Sequence, residues 1–174
     1  MNFLKYLLKR IRLFLIEYKN FKKLYKPGIN IEHGARFENV DNISIGVKSF
    51  VRKNAVIWGD KNCELIIGQK VYVNSYCFLQ GDIEIGNHVM LAPFVSIFGG
   101  SHKFSDKKVP MDSQGYTRQG IKIEDDVWIG SHAVILDGAV IKKGAIIAAG
   151  SVVKGTVEEY EIVAGIPAER IKKR

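Results

Sequence analysis

Only two cysteines occur in 174 residues, Cys63 and Cys77, and no CxxC pair is formed. That spacing excludes a zinc ribbon and a disulfide framework, and it points to a reduced, cytoplasmic setting. Long apolar runs are missing as well. No stretch approaches the roughly 20 residues that a membrane-spanning helix needs. Net positive charge, for all the formal +8 of the chain, is scarce outside one segment. Residues 1–26 hold Lys5, Lys9, Arg10, Arg12, Lys19, Lys22, Lys23 and Lys26 against Glu17 alone, and the remainder holds 18 basic and 17 acidic residues. A nearly neutral body excludes a nucleic-acid footprint across the domain. What is present is a hydrophobic fraction of 47% in a length that suits one domain with a sizeable core.

The basic segment predicts an amphipathic helix over residues 1–26. Leu4, Leu7, Ile11, Phe14, Tyr18, Phe21 and Tyr25 recur at spacings of three and four, with most cations off that stripe, and Pro27-Gly28 ends it. Cations throughout and the lack of a small-residue cleavage site set it apart from a secretory signal. Two readings stay open. The helix packs on the end of the domain or on a neighbouring subunit, or it lies on an anionic membrane surface, where apolar burial and Lys/Arg attraction add.

From residue 45 onward an aliphatic residue returns every sixth position. Ile45, Val51 and Ile57 begin the series. After four extra residues it resumes as Ile67, Val73, Leu79, Ile85, Leu91 and Ile97, and after a longer break as Ile123, Ile129, Ile135, Ile141, Ile147 and Val153. Four positions after most of these comes a small or branched residue, such as Ser49, Ala55, Cys77, Ala133 or Ser151. A period of six suits a short strand followed by a tight corner, with two inward side chains per hexad. The small residues Gly68 and Gly86, and again Gly130 and Ala148, recur after 18 residues, so three hexads make one coil of a triangular prism. A β-sandwich of short strands is disfavoured, because the spacing leaves no room for hairpins.

These hexads, with WIGSHAVILDGAVIKKGAIIAAGSVV at 128–153 and AGIPAERIKKR at the C-terminus, resemble the hexapeptide-repeat acyltransferases over roughly residues 30–174. Within that family the chain is most similar to the galactoside/maltose-type and polysaccharide O-acetyltransferases. The resemblance implies a mainly β fold: a left-handed parallel β-helix over 27–158, preceded by the helix of 1–26 and followed by a short helical tail over 159–174. It also implies acetyl-CoA as co-substrate, no metal, and a homotrimer with active sites between subunits. The γ-class carbonic anhydrases share this fold but use an HxxxxH pair, which is absent here.

The longer break, residues 99–120, reads as a loop extruded from the prism, since Gly99-Gly100 frees the backbone and polar residues follow. A hydroxyl attacking a thioester needs a base with a pKa near neutrality, which imidazole provides. Family members carry their catalytic histidine at the head of this loop, and GGSHKF places His102 there. His33, His88 and His132 read as exposed or turn histidines. By the same resemblance the Ser131 amide of WIGS stabilises the oxyanion, and Trp128 packs against the pantetheine arm or the acceptor. Asn74 and Asp82 hold the acceptor and orient the histidine, a role also open to Asp106. Ala148 and Ala149 line the donor groove, and Lys154, Arg170, Lys172 and Lys173 meet the CoA phosphates.

The expected function is O-acetylation of a sugar hydroxyl on a capsule, lipopolysaccharide or exopolysaccharide precursor. Under the membrane reading the protein would sit on the inner membrane face. The rival readings are N-acetylation of an amino or nucleotide sugar and a non-catalytic β-helix scaffold.

Overall fold

The structure is a computed structural model that describes residues 19, 20 and 22–174. The expected N-terminal helix therefore lies largely outside the described residues. Its end is helical at 19, 20 and 22–24 and packs on the first coil. There Leu24 is buried, Asn20 Nδ2 donates to Phe37 O at 3.1 Å, and Lys23 pairs with Asp41. No described helix is long and apolar enough to cross a membrane.

Each hexad forms a strand of two to four residues, and the strands stack into three parallel sheets around one core, a left-handed parallel β-helix. Face A comprises Asn30–Ile31, Phe50–Val51, Tyr72–Val73, Met90–Leu91, Trp128–Ile129, Ile146–Ile147 and Glu161–Gly165. Face B comprises Arg36–Glu38, Val56–Trp58, Phe78–Gly81, Ser96–Gly99, Val134–Ile135 and Val152–Val153. Face C comprises Ile43–Ile45, Leu65–Ile67, Ile83–Ile85, Ile121–Ile123, Val140–Ile141 and Thr156–Val157. Every aliphatic residue of the six-residue series points inward and is buried, as are its smaller partners. The two buried hydroxyls are satisfied. Ser49 donates to Gly68 O and accepts from Val71 N, and Ser151 accepts from Gly165 N. A buried polar atom without a partner would cost stability.

The corners turn through residues with left-handed φ, including Lys48 (63°), Asn54 (61°), His88 (59°) and His132 (61°). A single residue in that region turns the chain sharply from one face to the next. His88 and His132 are thus corner residues, in keeping with their turn-like spacing.

The C-terminal tail differs from expectation. In place of a helix, Ala168–Lys173 folds back antiparallel on Glu161–Gly165 as a β-hairpin. Glu161–Gly165 also pairs in parallel with Ile146–Ile147, so the prism continues past 158. Gly165 at φ 104° and Pro167 turn the chain, and the unpaired edge of the last face A strand supplies hydrogen bonds that a helix would leave unused.

Cys77 sits beneath the corner between faces A and B, its Sγ directed to Ala92 O at 3.2 Å. Burial pushes this thiol up from 9.0 to about 11, against backbone hydrogen bonds that pull it down. Its folded value lies above its unfolded one, so its stabilisation is complete below about pH 9 and is lost as pH rises towards 11. Denaturant titrations across that window should show a loss of roughly 2–3 kcal/mol in wild type beyond that in Cys77→Ala. Parallel pH profiles would mean that the thiol contributes nothing.

Candidate functional site

The face B ladder steps by 38 residues between Ser96 and Val134 instead of 18, and the extra chain is the extruded segment. It is more ordered than a plain loop. Ser101–His102 pairs antiparallel with Tyr116–Thr117, with His102 opposite Tyr116. The two rings lie 4.3 Å apart at 40°, Lys103 N donates to Gly115 O at 3.0 Å, and Thr117 Oγ1 donates to Ser101 O at 3.2 Å. At the tip Gln114 Nε2 donates to Asp106 O and Val109 O, while Gln114 Oε1 accepts from Asp106 N. Asp106 Oδ1 accepts from Lys108 N. Asp106 therefore organises the tip, and no hydrogen bond or ion pair joins it to His102.

The hairpin overhangs a cleft of about 1020 Å³. Its floor is a row of outward residues on face B, Trp58, Gln80, Phe98, Leu136 and Lys154, and its roof includes His102, Phe104, Tyr116 and Arg118. Of the residues singled out in sequence, His102 and Lys154 line this cleft. Asp82 stands at the root of the hairpin, where its carbonyl accepts from Ile121 N at 2.9 Å and its N–H donates to Gly99 O at 3.1 Å. Its carboxylate faces Gly120.

A second group gathers at the corner between faces A and B. Asn74 turns its carboxamide into the stack, with Nδ2 donating to Leu91 O at 2.8 Å, and its side-chain oxygen accepts no hydrogen bond among the described residues. Among the described residues nothing accepts the N–H of Ser131 or of Ala149. A side chain on Gly130 would place its Cβ 2.6 Å from the Ala149 nitrogen, so the glycine of WIGS keeps that amide uncovered. Ala148 N donates to Val163 O, and Val163 is paired with Arg170, so the small-residue groove leads directly to the C-terminal hairpin. Arg170 Nε is 3.3 Å from Glu161 Oε1, and Lys172 and Lys173 are exposed. Trp128 lies on face A, 48% exposed, in an outward row with Phe50, Tyr72, Met90 and Ile146.

One chain therefore does not bring the whole set together. His102, Asp82 and Lys154 belong to the edge between faces B and C. Asn74, Ser131, Ala148 and Ala149 belong to the opposite edge of face B, and Trp128 lies beyond it.

Sequence reasoning passed over Asp60, Arg118 and Asp137. Arg118 Nη2 lies 2.8 Å from Asp60 Oδ2, and the Asp137 carboxylate accepts from Gln119 N and Gly120 N, both at 3.0 Å. The signal for Asp60 was present, since it occupies the four extra residues between Ile57 and Ile67. No group of three or more His, Cys, Asp or Glu side chains among the described residues is arranged to hold a metal ion.

Residues 120–155 match the family model for the bacterial transferase hexapeptide, six repeats. Over 134 residues, 76% of this chain and 42% of the relative, the chain is 31% identical to a Mycobacterium tuberculosis protein named a probable acetyltransferase. A second relative, an Escherichia coli protein named for O-acetyl transfer in lipopolysaccharide biosynthesis, is 31% identical over 63% of this chain and 60% of its own length. The chain thus spans about half the length of these curated relatives. Among solved structures, AntD, an N-acyltransferase from Bacillus cereus, superposes with a TM-score of 0.78 at 22% identity, over 90% of this chain and 89% of that one. That likeness shows the fold. The six-residue period, the three-faced prism and these relatives together place the chain in the hexapeptide-repeat acyltransferase family.

Proposed function

We propose that the chain is an acetyl-CoA-dependent O-acetyltransferase acting on a sugar hydroxyl of a capsule, lipopolysaccharide or exopolysaccharide precursor. The observation that carries this reading is His102, held on a two-stranded hairpin with its ring against Tyr116 over a large cleft. In the reaction His102 takes the hydroxyl proton as that oxygen attacks the thioester carbonyl. The C–S bond then breaks, the ester is formed, and the imidazolium returns the proton to the departing CoA thiolate. The oxyanion between these steps needs a preorganised donor, and the uncovered Ser131 N–H is suited to that role.

His102 and Ser131 lie at opposite edges of face B, so the site takes one from each of two subunits of a homotrimer. The exposed apolar row of Tyr72, Met90 and Trp128, with Tyr72 stacked on Phe50 at 4.8 Å, supports burial against another copy. The CoA phosphates lie towards Lys154, Lys172 and Lys173. The protein works in the cytoplasm, and the end of its basic segment packs on the first coil through Asn20 and Leu24.

The test is CoA release from acetyl-CoA across sugars, amino sugars, nucleotide sugars and lipid-linked glycans. Release stimulated by a hydroxyl acceptor supports the proposal, and stimulation only by amino sugars would replace it with N-acylation. Failure to bind acetyl-CoA at all would leave a non-catalytic scaffold.

A further inference from the structure

The two departures from the hexad rhythm, four extra residues after Ile57 and the extruded hairpin, meet in space. The regular coils repeat at 18 residues, whereas Val56 and Phe78 are paired across 22, and the surplus forms the turn carrying Asp60. This turn is held in place by several contacts. Asn42 Nδ2 donates to Asp60 O at 2.9 Å, Asn62 N donates to Asp60 Oδ1 at 2.9 Å, and Asp60 bridges to Cys63. From it the Asp60 carboxylate reaches Arg118, 58 residues later in sequence and part of the hairpin's returning strand region. Asp60 and Arg118 both line the cleft, and Arg118 lies two residues beyond Tyr116, which faces His102.

We propose that Asp60 is a positioning residue: through Arg118 it sets where the hairpin stands and so where His102 stands over the cleft. The exit of the hairpin is pinned from two sides. Asp60 holds Arg118 from the coil two turns below, and Asp137 holds the next two amides from the coil above. A partly exposed ion pair adds little to global stability, but here it restrains a segment with no hydrophobic core of its own. The four extra residues lift the carboxylate out of the prism to within reach of the arginine. This inference rests on the acetyl-transfer reading for its catalytic part alone.

The experiment compares wild type, Asp60→Asn, Asp60→Glu and the exchanged pair Asp60→Arg with Arg118→Asp, all in the full chain. In Asp60→Asn, amide hydrogen exchange across residues 101–117 should quicken about 2- to 5-fold. The kcat for acetyl transfer should fall by a similar factor, with KM for acetyl-CoA unchanged. Asp60→Glu and the exchanged pair should recover most of both. Wild-type exchange in Asp60→Asn, or faster exchange with unchanged kcat, overturns the proposal. If wild type itself releases no CoA with any acceptor, acetyl transfer is the reading that fails, and hydrogen exchange still decides whether Asp60 anchors the hairpin.

Discussion

Replacing His102 by alanine should lower kcat for acetyl transfer by roughly 10²- to 10⁴-fold, the usual range for losing a general base. The affinity for acetyl-CoA should be nearly unchanged. The separation of these effects follows from the architecture. His102 is exposed on a hairpin, so its removal creates no cavity in the prism and no buried orphan. The small-residue groove and uncovered amides proposed for the donor lie at the other edge of face B, built from Ser131, Ala148 and Ala149. Steady-state kinetics combined with calorimetric titration of acetyl-CoA reads both quantities. His102→Gln serves as the companion variant, because it keeps a polar side chain against Tyr116 but cannot take up a proton at neutral pH. If either variant turns over within a few-fold of wild type, His102 is not the base. Loss of donor affinity along with turnover would instead mean that the hairpin helps to shape the donor groove.

The prism was legible in the sequence because one physical rule governs residues 45–57, 67–97 and 121–153. An inward aliphatic residue at each hexad leaves a mark that no helix or ordinary strand produces, and all of those positions are buried. The head of the extruded segment was legible for the opposite reason, since the rhythm stops at Gly99 and resumes by Ile121. The C-terminal hairpin was not. AERIKK is short and charged, with one large apolar residue, so its strand state is imposed by the open edge of Glu161–Gly165 rather than by its own pattern. Asp60 with Arg118 was out of reach too, because an ion pair spanning 58 residues leaves no periodic trace. The division of the site between two edges of face B follows from the same rule that made the fold readable. Hexads recur identically on all three faces, so spacing alone cannot tell which face a polar side chain will share with another.

The second large effect concerns the corner between faces C and A, where Gly46, Gly68 and Gly86 succeed one another on adjacent coils. A Cβ on Gly68 would sit 2.4 Å from Gly86 O and 2.6 Å from Gly86 C, both backbone atoms that no rotamer change can move aside. The coils cannot separate to admit it. Gly46 N donates to Ile67 O at 2.8 Å, Gly68 N to Ile85 O at 2.8 Å and Gly86 N to Ile123 O at 2.7 Å, and parallel strands keep a spacing near 4.8 Å only while such bonds hold. Gly68→Ala should therefore cost about 3 kcal/mol or more, at the upper end of what overpacking does elsewhere. Gly150→Ala is the control. Its Cβ would meet nothing within 4 Å, so only its left-handed φ of 71° opposes the change, at about 1–2 kcal/mol. Urea midpoints for the two variants decide the matter. Equal shifts would mean that the coils yield to the added methyl at no more than the cost of a left-handed φ, and that close coil-to-coil contact does not explain Gly68. A larger shift for Gly68→Ala, with early loss of amide protection in residues 30–67, would show that each coil stands on its neighbour, as a stack with only nearest-neighbour contacts requires.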